Sequence, residues 1–349
     1  VPITDGSATN DNTPVLTGTA EVGSTVTVSD NGTVIGTAIV GSDGKWSFTP
    51  TTALVDGPHS LTTVVTDSTG NSGPASPAIT FNVDTVPPSA AIGVSLSNDN
   101  GGTATPITSG SATNDATPVL SGTAEGNSIV IVRDGDTVLG SAVADAEGAW
   151  SFTSPALRQG SHSLTATVTD AAGNSSAPSA AITFTVDTQA PNEVGNLQLS
   201  NDSSGTAVPI TAGSVTNDNT PVLSGTAEVG TTVTILDGSN VLGTVVVGAG
   251  GSWSFTPTLV LGEGPHSIST TVTDAAGNVS APSAAIGFTV DTTPPVAPVV
   301  TSLSNNNSGT AVVFAAGSTT NDSTPVVRGT GEAGTTITIR DGSTVLGTA

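Results

Sequence analysis

Apolar side chains alternate with hydroxyl-bearing ones along most of this chain, in short runs broken by Gly, Asn, Asp and Pro. In one run His162, Leu164, Ala166 and Val168 fall on one side while Ser163, Thr165, Thr167 and Thr169 fall on the other. That period of two is the mark of a half-buried strand. Trp150 and Phe152 likewise share a face, with Ser151 pointing away. Read through the stretch 87–189, the pattern predicts strands near 91–97, 118–124, 128–133, 137–143, 149–154, 162–169 and 180–186. Short strands at this density, separated by turn residues, predict an immunoglobulin-like β-sandwich.

The pattern repeats. "TNDNTPVL" at Thr9 returns at Thr113 (with Ala for the second Asn), at Thr216, and as "TNDSTPVV" at Thr320, spacings of 104, 103 and 104. "KWSF" at Lys45, "AWSF" at Ala149 and "SWSF" at Ser252 keep the same step. So do "VTDSTGN" at Val65 with "VTDAAGN" at Val168 and Val272, and "FNVDTVPP" at Phe81 with its counterparts at Phe184 and Phe288. A unit of about 100 residues is an ordinary domain size. The expected organisation is four Ig-like repeats, 1–86, 87–189, 190–293 and a partial 294–349, all-β sandwiches in an elongated rod. The first lacks the lead-in seen as "VSLSNDNGGTATPI" from Val94, and the fourth stops before its Trp strand. Both ends read as cuts in a longer array, with raw strand edges at the fourth piece an aggregation hazard.

Composition narrows the function. Five basic residues face 28 acidic ones, for a net charge of -23. Nucleic-acid binding needs the opposite balance. There is no Cys, which excludes disulfides, thiolate metal sites and thiol nucleophiles and fits a bacterial surface protein better than a disulfide-rich ectodomain. No apolar run approaches the ~20 residues of a membrane span, so no direct membrane insertion is expected of this segment. No signal peptide is visible, and Val1 reads as the start of a fragment. Three Trp and seven Phe among 349 residues leave each unit a thin core.

The acids recur in register. Asp11 matches Asp115, Asp218 and Asp322; Glu21 matches Glu125, Glu228 and Glu332; Asp30 matches Asp134, Asp237 and Asp341. Asp67 matches Asp170 and Asp274, Asp84 matches Asp187 and Asp291, and Asp99 matches Asp202, with Asn306 in the third occurrence. These six positions hold 20 of the 28 acids, whereas acids serving solubility alone could scatter. In an Ig-like topology the exit of one unit, at Asp84, should meet Glu125, Asp170 and Asn174 at the entry pole of the next. Three carboxylates and an amide oxygen suit Ca2+, which takes six to eight oxygen ligands, better than Mg2+ with its rigid octahedron. Asp187, Glu228, Asp274 and Asn278 form the next expected set, and Asp291 with Glu332 begin a third. At the opposite pole Asp115, Asp134 and Asp99 form a second expected cluster. Asp11 and Asp30, and Asp202, Asp218 and Asp237, are its counterparts.

Plainer readings compete. The Asp of "VTDAAGN" caps a turn through its own backbone, and "DG" is a hairpin turn. His59, His162 and His266 recur once per unit with no second His or Cys, which favours a packed strand-edge residue over a zinc ligand. No G-x-S-x-G elbow is present. The Gly-rich stretch at Gly248 opens a strand and not a helix, so it is a turn and not a phosphate loop. One inward Trp per unit reads as core rather than as a sugar platform. No catalytic constellation emerges.

The stretches "TNDxTPVLxGTAE", "VTVxDGxxVLG", "GxWSFTP", "HSLTATVTDAAGNxSAPS" and "FTVDTxxP" resemble the Ig-like extender repeats of giant RTX (repeats-in-toxin) adhesins of Gram-negative bacteria. The resemblance implies a calcium-bound sandwich array exported by type I secretion. It implies an outer-membrane-anchored parent on the cell surface, with the adhesion target carried by other domains. The nonapeptide calcium repeats of that family are missing here. The first functional reading is thus a non-catalytic spacer whose partners are its own neighbouring repeats. A second is a module gripping glycan or protein through its loops, which near-identical loops between units argue against. A third, a carbohydrate-active enzyme, would need a catalytic domain that this chain does not contain.

Overall fold

The computed structural model describes residues 2–305, 307 and 310–349; Asn306 lies outside them. All regular structure among the described residues is β-strand. By contact the chain divides into two compact units. The first holds Val1–Asn192 with the segments Gly230–Thr232 and Val272–Ala281, and the second holds Glu193–Val229, Val233–Thr271 and Pro282–Ala349.

In the second repeat a four-stranded sheet runs Ala149–Thr153, Val119–Thr123, Ile92–Asn98, Thr105–Ile107. It faces a five-stranded sheet in the order Ala112–Thr113, Ile182–Val186, Gly160–Thr169, Ile129–Asp134, Thr137–Val143. The seven expected strands are all present. Two short ones join them, Thr105–Ile107 and Ala112–Thr113, the latter parallel to Ile182–Val186. The third repeat has the same strand order. In the first repeat only Leu16–Thr19 and Lys45–Phe48 form the second sheet, because the lead-in strand is missing from the sequence. In the fourth, Val312–Val313, Val299–Asn305 and Val326–Thr330 form one sheet and Thr338–Asp341 with Thr344–Thr348 a hairpin.

The alternation predicts the core correctly. Leu164, Ala166 and Val168 are buried, with Leu120, Val130, Val132 and Trp150 around them. Two glycines let so few aromatics fill the space. Gly122 stands opposite Trp150 in the register, and a Cβ there would lie 3.0 Å from the indole. A Cβ on Gly140 would lie 2.7 Å from the Phe152 ring. Gly18 with Trp46, and Gly36 with Phe48, repeat the device. A bare backbone under a large ring is how a thin core reaches interior packing density.

Candidate functional site

The loop Asp170–Asn174 follows the longest strand of the second repeat. Asp170 Oδ1 accepts the backbone N–H groups of Ala172 and Asn174, each at 2.9 Å. Gly173, at φ +95, closes the turn in a region other residues avoid. This fixes Asn174, which is buried. Its Nδ2 donates to Asp170 Oδ2 and to the backbone carbonyl of Asp84 in the preceding repeat, both at 2.8 Å. In the other direction the N–H of Asn10 donates to the Ala172 carbonyl at 3.1 Å. Asp84 is tied to the residue before Asn10, since Asp84 N–H donates to the Thr9 carbonyl at 2.9 Å. The preceding repeat and this loop are therefore held by reciprocal hydrogen bonds.

The arrangement recurs within the first compact unit. Asn278 Nδ2 donates to Asp274 Oδ2 and to the Asp187 carbonyl, both at 2.8 Å, and Asn114 N–H donates to the Ala276 carbonyl at 3.0 Å. In the first repeat the loop Asp67–Asn71 keeps the bond from Asn71 Nδ2 to Asp67 Oδ2, and the same nitrogen also donates to Thr69 Oγ1. Hydrogen bonds from the Asn71 side chain and backbone, then from Thr69, hold the Asp67 carboxyl well below the usual carboxylate range.

The recurring "TND" stretch is braced from behind. Asp115 is fully buried; its Oδ1 accepts Thr117 N–H at 2.8 Å and its Oδ2 accepts Asp99 N–H at 3.3 Å. Asp218 accepts Thr220 N–H at 2.9 Å and Asp202 N–H at 3.1 Å. Asn98 Nδ2 donates to Asn114 Oδ1 at 2.9 Å, and Asn201 to Asn217 at 3.0 Å. These acids tie the lead-in to the "TND" segment by Asx-type turns. Asp11 accepts only from Thr13, its N–H at 3.0 Å and its hydroxyl at 3.5 Å, and is exposed. Asp99 and Asp202 contribute their backbone N–H and leave their carboxylates exposed.

Asp134 goes elsewhere than the expected acid cluster. Its Oδ2 lies 2.7 Å from His162 Nδ1, and its Oδ1 accepts Ser163 N–H at 2.8 Å. The Nε2 of His162 lies 2.8 Å from the Arg158 carbonyl, and the ring rests against Phe184 with centroids 5.6 Å apart. Asp30 with His59 and Asp237 with His266 repeat the pair, again at 2.7 Å. The expected strand-edge packing of these histidines holds; the pairing with Asp was unforeseen. Burial pushes each ring's pKa down, but hydrogen bonds to the carbonyl and to the Asp outweigh it, so the net shift is upward.

Of the remaining expected ligands, Glu125 is exposed, and its carbonyl accepts Ser128 N–H and Oγ–H. Glu228 belongs to the second unit. In that unit Asp291 accepts Thr293 N–H at 3.0 Å, and Glu332 Oε2 accepts Val296 N–H at 3.1 Å. The oxygen-only donor set is the kind a calcium ion takes. It does not close into a preformed cage, since among the described residues no three His, Cys, Asp or Glu side chains converge to hold a metal ion. The amide nitrogen of Asn174, and not its oxygen, faces the Asp84 carbonyl and Asp170.

The family description "Bacterial Ig-like domain" matches residues 3–85, 90–188 and 191–292. Among solved structures, the chain is similar to fibronectin(III)-like modules of Clostridium thermocellum CbhA at 20% identity, covering 57% of this chain and 94% of that one, TM-score 0.36. A tetra-tandem repeat in the extending region of a large adhesion protein shares 20% identity over 92% of this chain and 84% of that one, TM-score 0.24. The BSP domain of a biofilm associated protein shares 15% identity over 84% and 62%, TM-score 0.22. No curated protein matches the chain.

Proposed function

Because the chain belongs to the bacterial Ig-like domain family, we propose that it is a non-catalytic extender of a bacterial surface adhesin. In this reading it spaces a ligand-binding tip, carried by other domains, away from the cell for adhesion or biofilm formation. The observation that carries the reading is the repeated clasp. Asn174 reaches the Asp84 carbonyl and Asn278 reaches the Asp187 carbonyl with the same distances and the same supporting loop. A spacer needs every junction alike, and a ligand-gripping module needs its loops to differ. The sequence resemblance to RTX extender repeats supports the surface location, the outer-membrane-anchored parent and export by type I secretion.

Calcium enters the proposal as a reinforcement of the junction. Asp84 and Asp170 are half-buried and Glu125 is exposed, so an ion would meet carboxylates open to water and bind at the modest, millimolar affinity of extracellular sites. It would offset repulsion within a chain of net charge -23 and stabilise by mass action. Small-angle X-ray scattering of the chain in millimolar calcium, in magnesium and in chelator tests both parts. A long particle in all three supports the clasp alone. A long particle only in calcium makes the ion indispensable. A particle that is short and flexible in every buffer sinks the extender reading.

A further inference from the structure

Ala112–Thr113 and Val215–Thr216 lie parallel to the last strand of their own repeats, and the backbone rungs of the two seams match. In the second repeat Gly110 N–H donates to the Thr183 carbonyl at 2.7 Å, and Thr185 N–H to the Ser111 carbonyl at 3.0 Å. In the third, Gly213 N–H donates to the Gly287 carbonyl at 2.7 Å, and Thr289 N–H to the Ser214 carbonyl at 3.0 Å. The difference is one rung further out, and side chains make it. Thr183 N–H donates to Ser109 Oγ at 3.2 Å, and the Ser109 and Thr183 hydroxyls share a bond of 3.0 Å. The first repeat does the same with a carboxylate, since Asp5 Oδ1 accepts both the N–H and the hydroxyl of Thr80, at 2.8 and 2.6 Å. In the third repeat these two positions hold Ala212 and Gly287. Neither side chain carries a donor or an acceptor. The second and third repeats have the same strand order, so the contrast between them lies in the side chains alone.

We infer that this corner is a latch on the seam, closed by Ser109 and Thr183 in the second repeat and missing at Ala212 and Gly287 in the third, so that the third seam opens more readily. A seam of two paired residues stands at the low end of local stability and opens without the rest of the fold. One added rung then changes the open population several-fold. Gly287 acts in the same direction, because a glycine inside a strand keeps backbone freedom and packs nothing. The seam also carries the clasp. Asn114, which donates to the Ala276 carbonyl, directly follows Thr113, and Asp187, whose carbonyl accepts Asn278, donates its own N–H to Thr113 at 2.9 Å. The latch therefore governs how firmly a repeat presents its exit to the next one. That consequence rests on the clasp reading; the order of opening does not.

The test is hydrogen–deuterium exchange on the whole chain, read at the amides of Thr185 and Thr289. Both lie between Phe and Val, so their unprotected rates are alike and a difference reports opening. In the parent chain Thr289 is expected to exchange roughly threefold to tenfold faster than Thr185, the worth of one exposed hydrogen bond. Ser109→Ala should quicken Thr185 by a similar factor, and Asn114 with it. Ala212→Ser combined with Gly287→Thr should slow Thr289 toward the Thr185 rate. Gly287→Val stiffens the strand without supplying a latch, and should slow Thr289 less than the pair does. Val130 and Val233, in the cores of the two repeats, should stay slow throughout, showing that the fold is kept. Equal rates at Thr185 and Thr289 in the parent overturn the inference. So does Gly287→Val matching the double variant, since strand stiffness alone would then decide. If Ser109→Ala quickens Thr185 and leaves Asn114 slow, the latch does not reach the clasp, and that part falls. If Asn114 exchanges in the parent as fast as an open amide, the clasp reading fails, while Thr185 and Thr289 still decide the latch.

Discussion

Asn174 and Asp84 stand 90 positions apart in sequence, yet one hydrogen bond of 2.8 Å joins the side-chain amide of the first to the backbone carbonyl of the second. The same nitrogen holds Asp170 Oδ2, so the residue that closes its own loop also fastens that loop to the repeat before it.

Replacing Asn174 by alanine should remove both bonds from a buried position. The expected loss is about 1–3 kcal/mol, read as a lower urea midpoint for the second repeat and faster exchange at Asn10. Asn71→Ala breaks bonds only within an exposed loop. It should cost less and leave Asn10 exchange unaltered. Equal effects from the two would show that the cross-repeat bond contributes nothing.

The His–Asp pairs predict a fall in stability on the alkaline side. Asp30 Oδ2 and the Val55 carbonyl both lie 2.7 Å from His59 nitrogens, and both can only accept. Each ring nitrogen must therefore carry a proton for both bonds to form. The folded pKa lies above its ordinary value in all three repeats. Their contribution is complete below about pH 6.5, the unfolded value, and is lost as pH rises through the folded one. Thermal melts should show Tm declining from pH 6 to pH 9, and Asp134→Asn should shrink the part owed to the second repeat. A flat profile would remove the charged latch.

Thr270 Oγ1 is buried with no hydrogen-bond partner, at the position where the second repeat carries the buried Ala166. Thr270→Val keeps the shape and removes an unsatisfied hydroxyl. It should stabilise the third repeat by about 1 kcal/mol or more, seen as a higher denaturation midpoint.

Gly140→Ala should do the reverse. The added methyl would stand 2.7 Å from the Phe152 ring in a sheet that has no slack. Overpacking of this kind costs about 1–3 kcal/mol. A circular-dichroism melt of the single variant decides it; an unchanged Tm would mean that the Phe ring moves aside freely.

The fold was legible wherever a strand was long enough to show its period. The runs through Gly160–Thr169 and Ala149–Thr153 declare their inward faces because Leu164, Val168 and Trp150 alternate with hydroxyls. Ala112–Thr113 and Thr105–Ile107 are too short to show any period, and their pairing depends on partners distant in sequence. The site was legible as a place more than as a chemistry. Asp84, Asp170 and Asn174 do meet, but an asparagine reads equally as an oxygen or a nitrogen donor, and here the nitrogen faces in. The Asp134–His162 pair left a usable trace, since Asp and His keep separations of 29, 28 and 29 in the three repeats. Recurrence in step was noted for each residue and not for the two together.

The short parallel pairing of Ser7–Thr9 with Phe81–Val83, and of Ala112–Thr113 with Thr185–Val186, has a bearing on mechanical load. Tension on a repeat draws the earlier strand back toward its N-terminal end and the later one forward toward its C-terminal end. Because they lie side by side in the same direction, the hydrogen bonds between them are loaded in shear and must fail together. An antiparallel hairpin pulled at its open end would unzip one bond at a time. The bonds from Asp84 to Thr9 and from Asp187 to Thr113 lengthen each seam by one more link, at the residue from which the next clasp begins. In the second repeat the lead-in strand Ile92–Asn98 precedes this seam in the chain, so strain that passes beyond that strand meets a seam arranged to resist it.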